Sequence, residues 1–306
     1  MNCALIALSK EGASLAARVA SHMPHADLFV HGHAALPSSP WGGIGPSWRR
    51  PGRECGECGV RGTRVRRFRS IMSLADAIFS RYRGLVFFTP CGVALRAVAP
   101  HVQHKLTDPA VVVVDAGGRY AISLLSGHEG HANELALRVA NILGAEPVVT
   151  TTTEALKTAI VGVGCRRGVP AKAIVTAVRR ALSAARVRLS EVRLLASADI
   201  KAGEAGLLEA ARLLGLPLRF ISSEELRSTA RFFARSEFVQ KMVSLPAVAE
   251  PAALLAGRRT RLVLPKKAFC GVTVAIARES CLWSASAPVA SSTARAAPRK
   301  PLRPAR

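Results

Sequence analysis

The stretch Ser123-Leu-Leu-Ser-Gly-His-Glu-Gly-His-Ala-Asn-Glu-Leu135 decides how this chain reads. The apolar run from Tyr120 to Leu125 has the composition of a strand, and the residues from about His131 to Leu143 have helical spacing. A turn of small residues joins them. Ser126, His128, Glu129, His131, Asn133 and Glu134 crowd that junction. In open α/β sheets, ligands bind outside the carboxyl ends of the strands. The turn is therefore the first place to look for a site.

Outward from it, strands and helices alternate. Cys3–Leu8, Asp27–Val30, Gly84–Thr89 and Ala110–Asp115 read as strands, with helices over Gly12–His22 and Ile71–Tyr82. Gly117-Gly118 is a hairpin-type turn ahead of the opening stretch. Pro147–Thr150 closes the first unit, and Thr151–Lys157 is a short bridge. A second unit follows, with strands at Thr158–Val163, Val192–Ser197 and Leu218–Ile221 and helices at Pro170–Ala185, Leu207–Leu214 and Glu250–Ala256. Its last strands, Arg261–Leu264 and Gly271–Ala277, read as separated by a loop, Pro265–Cys270. The expected fold class is α/β, with two three-layer, Rossmann-like domains on mostly parallel sheets. They span residues 1–153 and 158–283. Residues 33–70, rich in Pro, Gly and Arg, read as an irregular insertion, and 284–306 as a disordered basic tail.

Charge and cysteines narrow the class. The 306 residues carry a net charge of +23. Ser47–Arg69 holds eight Arg against Glu54 and Glu57, and the tail holds four Arg and one Lys with no acid. The remaining body is still basic and suits an acidic partner such as a polycarboxylate. Aromatics are only 5% of the chain and no nucleic-acid module is recognisable, so no nucleic-acid partner is expected. No apolar run reaches the roughly 18 residues of a membrane span, and Met1–Leu8 reads as a strand, not a leader. The seven cysteines are dispersed, which suits reduced thiols in a cytoplasm. Cys55-Gly-Glu-Cys58 is at best half of a zinc site, with no second pair at ribbon spacing, and reads as incidental; no protein-bound metal is expected.

Individual residues stay open between structural and functional roles. An imidazole suits a general base, so His128 is a candidate base or a turn cap. Asn133 and Glu134 fall where a helix dipole favours them structurally. Arg96, one helical turn past Gly92, is a carboxylate clamp or a surface charge. Gly162-Val-Gly-Cys-Arg-Arg-Gly168 departs from the dinucleotide spacing. It reads as an anion or substrate loop beside Arg166 and Arg167, or as plain turn glycines.

The run Asp108-Pro-Ala-Val-Val-Val-Val-Asp-Ala-Gly-Gly-Arg-Tyr-Ala-Ile-Ser-Leu-Leu-Ser-Gly-His-Glu-Gly-His-Ala-Asn-Glu-Leu135 resembles the N-terminal signature of the CbiG family, the cobalt-precorrin-5A hydrolases of anaerobic cobalamin synthesis. Gly92-Val-Ala-Leu-Arg96 is similar to that family's earlier turn. The second unit resembles its C-terminal domain, which also occurs alone as the CobE type. That likeness is carried by Gly162–Gly168, Ala196–Leu207, Glu250–Leu254 and Lys266–Val274. The family commonly has Gly-Gly-Ala-Asn where this chain has Gly130-His131-Ala-Asn, and it usually carries a middle segment where only Thr151–Lys157 stands here. The resemblance implies a hydrolase acting on a carbon–carbon bond, which opens a δ-lactone and releases acetaldehyde. Its substrate is a tetrapyrrole that brings its own cobalt, so no cofactor is implied. The roles it implies are catalysis for His128 and Glu134, and hydrogen bonds from Ser126, Gly127 and Asn133. Gly92, Arg96, Gly164, Cys165, Arg166, Asp199, Lys201, Lys266 and Lys267 would hold substrate. Partners would be the tetrapyrrole and other corrinoid-pathway enzymes, and a homodimer is compatible with such a chain. The alternative is a non-catalytic corrinoid carrier.

Overall fold

The structure is a computed structural model that describes residues 1–34, 64–229 and 248–280. The Cys55/Cys58 pair and the basic tail lie outside the described residues.

The first sheet has seven strands: β1 (Cys3–Ala7), β2 (Ala26–His31), β3 (Val65–Phe68), β4 (Gly84–Phe88), β5 (Ala110–Val114), β6 (Tyr120–Leu125) and β7 (Glu146–Val148). They lie in the order β3-β2-β1-β4-β5-β6-β7. All neighbours are parallel except β5 and β6, which form the hairpin. Its helices are α1 (Lys10–His22), α2 (Ile71–Ile78), α3 (Cys91–Val98) and α4 (Ala132–Leu143). Side chains alternate across the pleat. Leu5, Val86 and Val112 pack beneath α1 and α4, while Ile6, Phe87 and Val113 face α2 and α3. With both faces covered, β4 and β5 are buried along their whole length, which is why they read as continuous apolar runs. Val65–Phe68 corrects the reading of 33–70 as irregular throughout. Its end is ordered by parallel pairing with β2, a long-range partner that local composition does not reveal.

A one-turn helix, α5 (Thr152–Ala155), leads to the second sheet. Its strands are β8 (Ala159–Cys165), β9 (Val192–Ala198), β10 (Leu218–Ile221), β11 (Thr260–Phe269) and β12 (Val272–Glu279). Their order is β10-β9-β8-β12-β11. Helices α6 (Ala171–Ala185) and α7 (Ala205–Leu214) cover one face; α8 (Ser223–Thr229) and α9 (Ala249–Leu255) pack on the other. The expected loop Pro265–Cys270 is instead strand as far as Phe269. Cys270 (φ +43°) and Gly271 (φ +86°) form a two-residue turn whose left-handed geometry continues the twist of both strands.

The two units touch through α4 and β10. Asn141 Nδ2 donates to the Leu218 carbonyl at 2.7 Å, and the Phe220 N–H donates to Asn141 Oδ1 at 2.9 Å. One side-chain amide thus satisfies both backbone groups as a further strand would. Beside it Arg219, buried on β10, donates to the Ala256 carbonyl at 3.0 Å and lies 3.7 Å from Glu146 on β7.

Candidate functional site

Between β6 and α4 the backbone reverses through two left-handed residues, Ser126 (φ +57°) and His131 (φ +67°). The Ser126 carbonyl accepts from the Gly130 and Ala132 N–H groups at 3.1 and 3.2 Å, and the Asn133 N–H donates to the Gly127 carbonyl at 3.0 Å. Gly130 has no room for a side chain, since a Cβ there would stand 2.4 Å from Ser126 Cβ. Left-handed non-glycine residues held by their surroundings concentrate at functional sites. The resemblance leads one to expect glycine where His131 stands, and φ +67° is a conformation that glycine adopts without strain. His131→Gly is therefore expected to stabilise the fold by about 1 kcal/mol, read from the denaturation midpoint. No gain would mean that the 3.3 Å contact between His131 Nδ1 and Glu134 Oε1 offsets the strain.

The turn forms part of the wall of a cleft of about 1160 Å³ between the two units. Gly127, His128, Asn133 and Glu134 reach that wall. Ser126 lies beneath it, 7% exposed, and its Oγ has no hydrogen-bond partner among the described residues. Asn133 Nδ2 donates to Thr151 Oγ1 at 2.9 Å, which leaves Asn133 Oδ1 buried and unpartnered among the described residues. Thr151 takes one of the two Nδ2 N–H groups, which leaves the amide a second donor. Glu129 points away and pairs with Lys105 at 2.8 Å, which holds its carboxyl below the usual range.

The cleft is lined by Arg138, Lys157, Arg193, Arg212, Arg219 and Arg258. Five of these are already matched by acids: Lys157 by Glu154, Arg193 by Glu279, Arg212 by Glu209, and Arg219 and Arg258 by Glu146. Arg138 is exposed and has no carboxylate partner among the described residues. It stands one turn past Glu134 on α4, so the two share a face. Sequence reading missed Arg138, although its spacing from Glu134 was a usable signal.

The remaining expected site residues lie elsewhere. Because β6 runs against β5, Leu125 is level with Val111, at the amino end of the parallel strands. Gly92 and Arg96 follow the carboxyl end of β4, beyond about 10 Å of strand, and Arg96 bends back toward the Gly92 carbonyl. They do not share a site with His128. Lys266 and Lys267 sit on β11, the outer strand, four spacings or roughly 19 Å across the sheet from β10.

Cys165, Arg166, Asp199 and Lys201 do gather at the carboxyl ends of β8 and β9. Gly162 and Gly164, expected in a loop, lie inside β8, and Gly162 is needed for the close approach of α9. The loop's anion is supplied by the chain itself. Glu204 accepts from the Gly168 N–H at 2.6 Å and lies 3.5 Å from Lys201, and the Gly168 bond lowers its pKa. Asp199 is taken by the Ser223 hydroxyl. Burial pushes the Cys165 thiol up, which disfavours its thiolate.

Among the described residues no group of three or more His, Cys, Asp or Glu is placed to hold a metal ion, and no helix is long and apolar enough to cross a membrane.

Residues 73–154 match the model of the cobalamin synthesis G N-terminal region, and 159–277 that of the cobalamin synthesis G C-terminus. The chain is 50% identical over 80 residues to a cobalt-precorrin-5A hydrolase of Salmonella typhimurium, covering 26% of this chain and 23% of that protein. It is 46% identical over 89 residues to the hydrolase of the same name from Priestia megaterium, covering 29% and 24%. The matched stretches thus span about a quarter of each of these relatives. The protein CobE of a Sinorhizobium species is 35% identical over 133 residues, 43% of this chain and 86% of that one. The chain belongs to the cobalamin synthesis G (CbiG) family, with a second unit of the CobE kind.

Proposed function

We propose that this chain hydrolyses cobalt-precorrin-5A, opening its δ-lactone and releasing acetaldehyde to give cobalt-precorrin-5B. The observation that carries the reading is the cleft between the two units, with His128, Asn133 and Glu134 on one wall and Arg138 beside them. Its volume of about 1160 Å³ exceeds the ~300–1,000 Å³ usual for small-molecule sites, which suits a macrocycle larger than a drug-sized ligand. The cobalt belongs to the substrate.

In this reading His128 takes a proton from water as the water attacks the lactone carbonyl. Asn133 donates the Nδ2 N–H that Thr151 does not take toward the developing oxyanion. Ring opening frees an alkyl hydroxyl. When that hydroxyl loses its proton, the bond to the macrocycle breaks, acetaldehyde leaves and the ring carbon takes up a proton. Glu134 is the exposed carboxylate on the same wall for these transfers. Arg138 binds a peripheral carboxylate of the ring. Ala202, next to Lys201, lies on the cleft wall, but Lys201 is matched there by Glu204. Gly92, Arg96, Lys266 and Lys267 are not part of the reaction centre. The residue division 1–153 and 158–283 and a cytoplasmic setting go with this proposal.

The test is anaerobic incubation with cobalt-precorrin-5A and assay of acetaldehyde. Stoichiometric release with turnover is expected. Tight binding of the tetrapyrrole without acetaldehyde would replace the hydrolase with a carrier.

A further inference from the structure

We infer that Thr151, the first residue of the segment joining the two units, is a positioning residue for the hydrolytic turn. The inference rests on the proposed hydrolysis and extends it to a residue outside the turn.

Thr151 holds the turn from two sides. Its hydroxyl accepts from Asn133 Nδ2 at 2.9 Å, which fixes the orientation of the amide, with Oδ1 buried against Gly127. Its methyl presses on Gly127: a Cβ at Gly127 would stand 2.6 Å from Thr151 Cγ2 and 2.9 Å from Asn133 Oδ1. The backbone between Ser126 and His128 is thus clamped between the threonine methyl and the asparagine amide. Ser126, left-handed at φ +57°, needs such a clamp to keep its hydroxyl in place.

The main chain of Thr151 is anchored in turn. Its carbonyl accepts from the Glu154 and Ala155 N–H groups at 3.1 and 2.9 Å, which starts α5. Glu154 then holds Lys157 at 2.8 Å, and both line the cleft. A rigid path therefore runs from the second unit's first strand, through the joining helix, to Asn133. The segment between the units is part of the site: where it goes, the Asn133 amide goes.

The experiment compares two variants in the full chain. Thr151→Val keeps the branched shape and removes the hydroxyl; Thr151→Ser keeps the hydroxyl and removes the methyl. Misplacing a group at a reacting centre costs on the order of tenfold to a hundredfold in rate. Thr151→Val is expected to lower kcat for acetaldehyde release by that amount, with KM within about twofold of the parent. Thr151→Ser is expected to retain most of kcat. Adding Thr151→Val to Asn133→Ala should cost little more, because the threonine acts through the asparagine. Unchanged kcat in Thr151→Val, equal losses in both threonine variants, or full additivity with Asn133→Ala overturns the inference while the hydrolysis stands. A parent chain that releases no acetaldehyde overturns both.

Discussion

Replacing His128 with alanine is expected to lower acetaldehyde release by about 100- to 10,000-fold, the usual contribution of a positioned general base. The ring is exposed on the cleft wall at the start of a turn whose shape is set by other atoms. Backbone bonds to the Ser126 and Gly127 carbonyls, the tight Gly130 contact and the Thr151 clamp all survive the change. The variant should therefore keep the parent's unfolding midpoint and bind the tetrapyrrole with similar affinity, losing kcat with little change in KM. Single-turnover acetaldehyde release, with circular dichroism as the folding control, measures this. A loss below tenfold in a folded variant would remove His128 from the base role and turn the test to Glu134, the next titratable side chain on that wall.

The largest stability effect is expected at Gly162. This residue lies in β8, the central strand of the second sheet. A Cβ there would stand 1.8 Å from the Ala249 carbonyl oxygen and 2.9 Å from Ala253 Cβ. The obstacle is the backbone of α9, which buries Ala252, Ala253 and Ala256 against Ile160 and Leu194 and cannot retreat without opening that layer. Overpacking of this kind costs about 3 kcal/mol or more. In a chain of this size Gly162→Ala should lower Tm by roughly 6–12 °C. Gly168→Ala is the control. It has open space around the would-be Cβ but φ +74°, so it should cost only about 1 kcal/mol of backbone strain. Equal losses at the two glycines in thermal scans would show that strain, not the approach of α9, governs Gly162.

Much of the fold was legible because its signals are local. Alternation of apolar strands with amphipathic helices marked both units, and Gly117-Gly118 marked the hairpin between β5 and β6. The density of polar groups from Ser126 to Glu134 marked the turn that reaches the cleft. The same hairpin also held the piece that was not drawn out. Once β6 runs against β5, its carboxyl end lies at the opposite edge from that of β4, so Arg96 and His128 part company. Lys266 and Lys267 looked like loop residues because Pro265 interrupts the run, yet two register shifts against β12 carry the strand through to Phe269. Glu204 carried no local signal of its role; only folding brings it to the Gly168 N–H.

The amino-acid sequence by itself determined most of the strands and helices, that they form two α/β units, and which turn gathers the densest set of polar groups. Those properties depend on residues within a few positions of one another. Tertiary structure alone decided which edge of the sheet the turn occupies, and which arginine in the cleft is left without a carboxylate among the described residues. It also decided that Thr151 holds Asn133 and that Asn141 closes the edge of β10. Each of these is set by pairing between distant residues, where strand direction and charge neutralisation are properties of neighbours in space, and no periodicity in the chain encodes them.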